Sequence, residues 1–296
     1  SLTDGEIYYI KANVTDLVGN AAETVTSNYF TVDYTAPTVV NIKGITDPGS
    51  YKAGEDIIIA IRFSETVYVT GTPSLNHSNS GANATAIYTS GSGSNVLIFT
   101  YTVGNGENTI TNNTSLDVNE NYLHVDSINN STDNYIEDIA NNTANYTVFN
   151  TGLRHSLSFN TSIVIDTTAP SINTVGTVEA KGGIFNMGYY NSSNTSVNVS
   201  VDIENDISLV GGTIRLIYST NNSTTYITDS FTSYDYTITK ANLDHAYTFS
   251  INEVDFESNI DEAAEIHFSA LITDKAGNQS IMNPSADTII RDDIPL

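Results

Sequence analysis

Thr15-Asp16-Leu17-Val18-Gly19-Asn20, followed by Tyr29-Phe30-Thr31-Val32-Asp33-Tyr34-Thr35-Ala36-Pro37, is a tight turn, a β-forming run and an aspartate-bearing joint closed by proline. The same punctuation returns at Glu137-Asp138-Ile139-Ala140-Asn141-Asn142 with Ile163-Val164-Ile165-Asp166-Thr167-Thr168-Ala169-Pro170. It returns again at Thr273-Asp274-Lys275-Ala276-Gly277-Asn278 with Ile289-Ile290-Arg291-Asp292-Asp293-Ile294-Pro295. Self-similarity at a fixed pitch marks an array, and a pitch of about 130 residues suits a β-sandwich domain rather than a solenoid repeat. The first copy arrives too early to have closed a domain. The expected organisation is therefore the C-terminal strands of a partial sandwich over residues 1–36, a complete sandwich over 37–169 and a divergent one over 170–296. Two or three strands cannot bury both faces, so residues 1–36 are expected to need strands from elsewhere. Those strands are either missing from the chain or supplied by another molecule through β-strand addition.

Composition narrows the function classes. Lys+Arg number 10 against Asp+Glu 34, for a net charge of −24, yet only 15% of residues are charged. The polarity is carried by Asn, Ser and Thr, and the 18 Tyr and 10 Phe with many Val and Ile describe a foldable β-rich chain. An acidic chain with no basic stripe argues against nucleic acid and against an anionic membrane surface. No apolar run approaches spanning length, so no membrane insertion is expected in this segment. Cysteine is absent, which excludes thiolate metal sites and disulfide staples.

Turn chemistry sets the strand boundaries. Asp47-Pro48-Gly49, Gly71-Thr72-Pro73, Gly91-Ser92-Gly93 and Gly104-Asn105-Gly106 punctuate the middle unit. The candidate strands of this unit are Val39–Ile42, Asp56–Phe63, Thr66–Val69, Thr85–Thr89, Asn95–Val103, Tyr122–Val125 and Ser156–Ile165. The last unit offers Thr195–Ile203, Thr213–Tyr218, Tyr226–Phe231, Tyr234–Ile238, Tyr247–Val254 and Ile266–Ile272, with room for one helical turn in the acidic stretch Glu253–Glu265.

The run Gly49-Ser50-Tyr51-Lys52-Ala53-Gly54-Glu55-Asp56-Ile57, then Ile61-Arg62-Phe63-Ser64-Glu65-Thr66-Val67, resembles a prokaryotic immunoglobulin-like repeat. So does Leu97-Ile98-Phe99-Thr100-Tyr101-Thr102-Val103. The likeness covers most of residues 37–169; 170–296 shares mainly Asp274-Lys275-Ala276-Gly277-Asn278. Such repeats, distantly cadherin-like, occur in large secreted surface proteins. The resemblance implies an all-β fold: tandem immunoglobulin-like β-sandwich domains in an end-to-end array at a cell surface.

Calcium takes six to eight oxygens from carboxylates, carbonyls and amides. Asp16, Asn20 and Asp33 offer such a set, repeated by Asp138, Asn142 and Asp166 and, in part, by Asp274 and Asn278. Glu65 and Asp47 are candidates contributed by the downstream unit. At the third joint Arg291 takes the place of Asp33 and Asp166, with Asp292 and Asp293 beside it. Asp, Asn and Gly are equally what a tight hairpin prefers without any metal, and both readings stand. Asn-x-Ser/Thr sequons are abundant. Candidate N-glycan sites are Asn13, Asn76, Asn83, Asn113, Asn130, Asn145, Asn160, Asn191, Asn194, Asn198 and Asn222. No nucleophile elbow, phosphate loop or His-Glu-x-x-His helix is present, so no enzyme activity is expected. The expected role is an extracellular structural protein of a surface layer, filament or stalk, in contact with copies of itself or neighbouring surface proteins. The alternatives are an adhesin spacer and a non-catalytic module of a secreted carbohydrate-active protein.

Overall fold

The computed structural model describes residues 1–77, 84–109, 125, 127–129, 131, 133–150, 153–184, 186–220 and 225–294. It consists of two immunoglobulin-like sandwiches in tandem, preceded by a hairpin.

Period-two alternation builds the first sandwich. In the strand Asp56–Thr70 the side chains of Ile57, Ile59, Ile61, Phe63 and Val67 are buried and their neighbours point outward. The front of this strand pairs antiparallel with Val39–Gly44 and Ser94–Thr102, while Tyr68–Thr70 pairs with Tyr135–Glu137. Sequence boundaries suggest two strands here; the chain instead runs through as one. Its ladder with Ser94–Thr102 breaks between Arg62↔Val96 and Val67↔Ser94. The residues between bulge out, and Glu65 lies among them. Ser94–Thr102 leads on to Thr85–Ser90, Ser74–Asn76 and Ser127–Asn129. Gly49–Tyr51 closes the fold by pairing parallel with Ile163–Ile165. Ile57, Phe63, Phe99, Tyr101 and Ile163 belong to one core. Each such side chain contributes roughly 1.5–3 kcal/mol on burial.

The second sandwich has two clean layers. Ser196–Ile203 lies between Val178–Lys181 and His245–Asn252, with Val197, Val199, Val201 and Ile203 facing inward. Opposite it, Thr213–Thr220 and Glu265–Thr273 pair along their length. Ile289–Arg291 pairs with Glu265–Thr273, and Tyr189–Tyr190 runs parallel to Ile289–Arg291. Glu253–Asn259 forms a seven-residue helix, longer than the single turn expected. Asn252 caps it, and the buried Phe256 ring packs on Tyr190.

Residues 1–36 make one hairpin, Ile7–Tyr8 with Phe30–Thr31 and Lys11–Ala12 with Val25–Thr26. Counted from the loop aspartates, Ile10 and Val14 stand where Phe268 and Ile272 stand in the second sandwich. The former are 63% and 64% exposed, the latter 0% and 4%. The hairpin carries the alternation of a buried sheet, and among the described residues no sheet lies behind it.

Candidate metal centre

The Asp-Asn loops are self-locking. In each, the amide hydrogens of the asparagine, backbone and side chain, are donated to the two oxygens of the aspartate four residues earlier. Asn20 donates to Asp16 at 2.8 and 2.8 Å, Asn142 to Asp138 at 2.9 and 2.8 Å, and Asn278 to Asp274 at 2.9 and 2.9 Å. This accounts for the recurrence of the motif by hairpin geometry.

The loops do not meet the joints that follow them, as the sequence order suggests. The strand leaving the loop carries the chain to the opposite end of its hairpin. Asp16 and Asn20 form the turn, whereas Asp33 lies beyond Phe30–Thr31 at the other end. The partner of each joint is the loop of the next sandwich. Asn142 Nδ2 donates to the carbonyl of Asp33 at 3.1 Å, and Asn278 Nδ2 to the carbonyl of Asp166 at 2.8 Å. Asp138 and Asn142 thus pair with Asp33 rather than Asp166, while Asp274 and Asn278 pair with Asp166.

At the first joint three segments converge. Oxygens of Asp33 from the linker, Glu65 from the strand bulge and Asp138 from the loop lie within 4.8 Å of one another. Asp138 is buried, and its carboxylate accepts from Ala140 N at 2.7 Å as well as from Asn142. Asp33 accepts from Thr35 N at 3.0 Å. The Glu65 carboxylate has no hydrogen-bond partner among the described residues, and none of the three is in an ion pair there. Partial burial raises the Glu65 pKa, and the charges of Asp33, Asp138 and Asp4 raise it further. Asp4 was not singled out in the sequence. It accepts from Tyr34 N at 2.6 Å and Thr35 Oγ1 at 2.5 Å and ties the hairpin to the linker. Its signal was an acidic residue at a constant offset before each loop aspartate: Asp4 before Asp16, Asp126 before Asp138, Glu262 before Asp274.

The second joint handles the same charge differently. Asp166 and Asp274 are both buried, and burial pushes the Asp166 carboxyl up to about 6, with the charges of Asp274 and Asp206 adding to it. Burial also raises the Asp274 pKa, opposed by the Asn278 hydrogen bonds. Asp206, likewise missed in the sequence, caps the short helix Ile207–Leu209 through Ser208 N at 2.9 Å. These three carboxylates do not gather as closely as those of the first joint. Lys52 Nζ crosses from the first sandwich to the carbonyl of Gly277 at 3.2 Å. At the third joint Arg291 supplies its own cation. It donates to Asp293 Oδ2 at 2.6 Å and to the carbonyls of Glu257 and Ile260 at 2.7 and 2.5 Å. Asp47 joins neither cluster. It lies past the far end of Val39–Gly44 from Thr38, its carbonyl accepting the Tyr51 hydroxyl at 2.6 Å.

The sequons divide by the state of the amide nitrogen. Asn194 is 1% exposed and donates to Gly182 O at 2.6 Å, leaving no room for a glycan on the folded chain. Asn160 Nδ2 is engaged by Asn41, Ile42 and Ser156, and Asn76 Nδ2 by Ser127 and Asn129. Asn198 sits half-buried in the central strand of a sheet, and Asn191 Nδ2 donates to Ile184 O at 3.1 Å. Asn13 and Asn145 are exposed. Asn83, Asn113, Asn130 and Asn222 lie outside the described residues.

No protein-family model matches the chain, and no curated protein matches it. Among solved structures, the crystal structure of domains A168–A170 from titin matches at 11% identity and a TM-score of 0.35. The match covers 97% of this chain and 75% of that one. A likeness at that level carries no argument, and the fold rests on the sheets described above. Among the described residues no helix is long and apolar enough to cross a membrane.

Proposed function

We propose that this chain is a non-catalytic structural segment of an extracellular immunoglobulin-like array, part of a surface layer, filament or stalk, with its first joint locked by calcium. The observation that carries the reading is the convergence of Asp33, Glu65 and Asp138 from linker, strand bulge and loop, with no cationic partner among the described residues. The donor set suits a hard cation: it is all oxygen, and no other group among the described residues engages the Glu65 carboxylate. Calcium there would neutralise the mutual repulsion and join three chain segments through one ion. Without it, the short Thr35-Ala36-Pro37 linker restricts bending only through the fixed φ of proline and the limits on its predecessor.

The extracellular placement is supported by the sequon richness of the sequence and by its resemblance to prokaryotic surface repeats over 37–169. Partners in this reading are copies of the chain or neighbouring surface proteins; the exposed Ile10 and Val14 of the hairpin favour such association. Electron microscopy of the natively isolated protein, in calcium and then in EDTA, tests it. Ordered filaments or sheets that dissolve in EDTA are the expected result. Isolated rods in both conditions would overturn assembly and leave an adhesin spacer or a module of a carbohydrate-active protein. Calcium titration followed by calorimetry reports on the ion separately, and absence of binding heat would remove it.

A further inference from the structure

We infer that Asn145 is an N-glycan acceptor of the folded chain and that Asn160 and Asn194, despite their sequons, are not. The inference rests on the extracellular reading above and adds a modification site to it. In Asn145-Tyr146-Thr147 the asparagine Oδ1 accepts both the backbone N–H of Thr147 at 3.0 Å and its hydroxyl at 2.7 Å. These two hydrogen bonds to one oxygen fold the sequon into a turn and leave Nδ2 outside them. The side chain is exposed, and Nδ2 has no hydrogen-bond partner among the described residues. The backbone beneath it is held: Asn145 N donates to Pro37 O at 2.7 Å, and the Tyr146 hydroxyl accepts from Ile136 N at 2.9 Å. A sugar here would project from a rigid base beside the first joint and disturb no packing.

Asn191 is the informative contrast. Its Oδ1 accepts from Ser193 N and Oγ in the same way, at 3.0 and 2.6 Å, but its Nδ2 is tied to Ile184 O and the residue is half-buried. Asn160 Nδ2 makes three hydrogen bonds and Asn194 Nδ2 is enclosed. The donor class is a lipid-linked oligosaccharide activated through phosphate. The Asn145 amide nitrogen attacks the anomeric carbon, forming the N–C bond as the C–O bond to phosphate breaks. The lipid phosphate leaves with the electron pair, and one amide hydrogen leaves as a proton.

The test is glycopeptide mass spectrometry on native protein, combined with protease shaving of intact producer cells. The expected result is a saccharide increment on the peptide bearing Asn145, with the Asn160 and Asn194 peptides unmodified. An Asn145→Gln chain should lose that increment while keeping its β-type circular dichroism. A bare Asn145 on protein that shaving releases overturns the inference and leaves the extracellular reading standing. Protein that shaving does not release, with Asn145 bare, overturns both. Saccharide on Asn194 or Asn160 overturns the stated selection.

Discussion

The first and second joints share one frame, a linker carbonyl held by the asparagine of a loop, yet they dispose of their carboxylates in opposite ways. At the first, Asp33, Glu65 and Asp138 crowd together, and Glu65 has no partner among the described residues. At the second, Asp166 and Asp274 are buried and hydrogen-bonded, and Asp206 is occupied as a helix cap. The difference traces to the segment that follows Asp56–Phe63 in the first sandwich and Ser196–Ile203 in the second. In the first it is a bulge inside one continuous strand, which re-aims Glu65; in the second it is a short helical turn whose cap engages the acid. One arrangement is the one we propose to take up an external cation. The other shifts the proton affinity of a buried acid.

The largest expected effect is on the first joint alone. Calcium at a hundredfold its dissociation constant should stabilise the 37–169 unit by about 2.7 kcal/mol. Glu65→Gln should abolish that gain, and the transition of 170–296 should not move. Differential scanning calorimetry in calcium and in EDTA reads both; an equal shift of the two units would erase the contrast.

Acid should sharpen it. The folded-state pKa of Asp166 stands at about 6 against an ordinary 3.8, so the folded chain holds its proton more tightly than the unfolded one. The stability this contributes is fully present below 3.8 and is lost as pH rises through about 6. Asp166→Asn should therefore stabilise the chain at pH 7.5 by an amount on the order of 2 kcal/mol, and the gain should vanish at low pH. Urea denaturation across that range is the measurement. Calcium affinity at the first joint should move the other way, falling as Glu65 is protonated.

Smaller effects test the shared frame. Asn142→Ala and Asn278→Ala each remove a loop lock and a linker bond, and should cost about 1–2 kcal/mol. Asn20→Ala should cost less, because its bonds are solvent-exposed and no linker carbonyl among the described residues meets it. Hydrogen exchange of the linker amides should rise in the first two only. Lys52→Met should change stability by less than about 0.5 kcal/mol, as expected for an exposed contact, yet widen the interdomain orientations of the second joint seen by residual dipolar couplings.

Much of this was legible in the chain. The alternation in Asp56–Phe63 and Ser196–Ile203 identifies strands with one buried face, because side chains on a strand project with period two. The Asp-to-Asn spacing identifies the self-locked turn, because the asparagine amides reach back to the aspartate oxygens within one loop. These are local relations, set by a few consecutive residues. Glu65 was found through a resemblance rather than through spacing. Asp4 was passed over because Tyr34 and Thr35, which it touches, are remote in sequence, and Asp206 because the Asp166 carboxylate whose charge it meets is remote as well.

What the sequence determined by itself was the all-β class, the repeat and the identity of the acidic and amide residues at the joints. Only the tertiary structure decided which loop serves which joint, and which sequons tie up their amide nitrogens. A strand carries the chain from one end of a sandwich to the other, so neighbours in sequence become residents of opposite ends. Strand pairing then brings Asp33 against Asp138 and Asp166 against Asp274. That choice belongs to the packing of whole sheets, and no short stretch of residues encodes it.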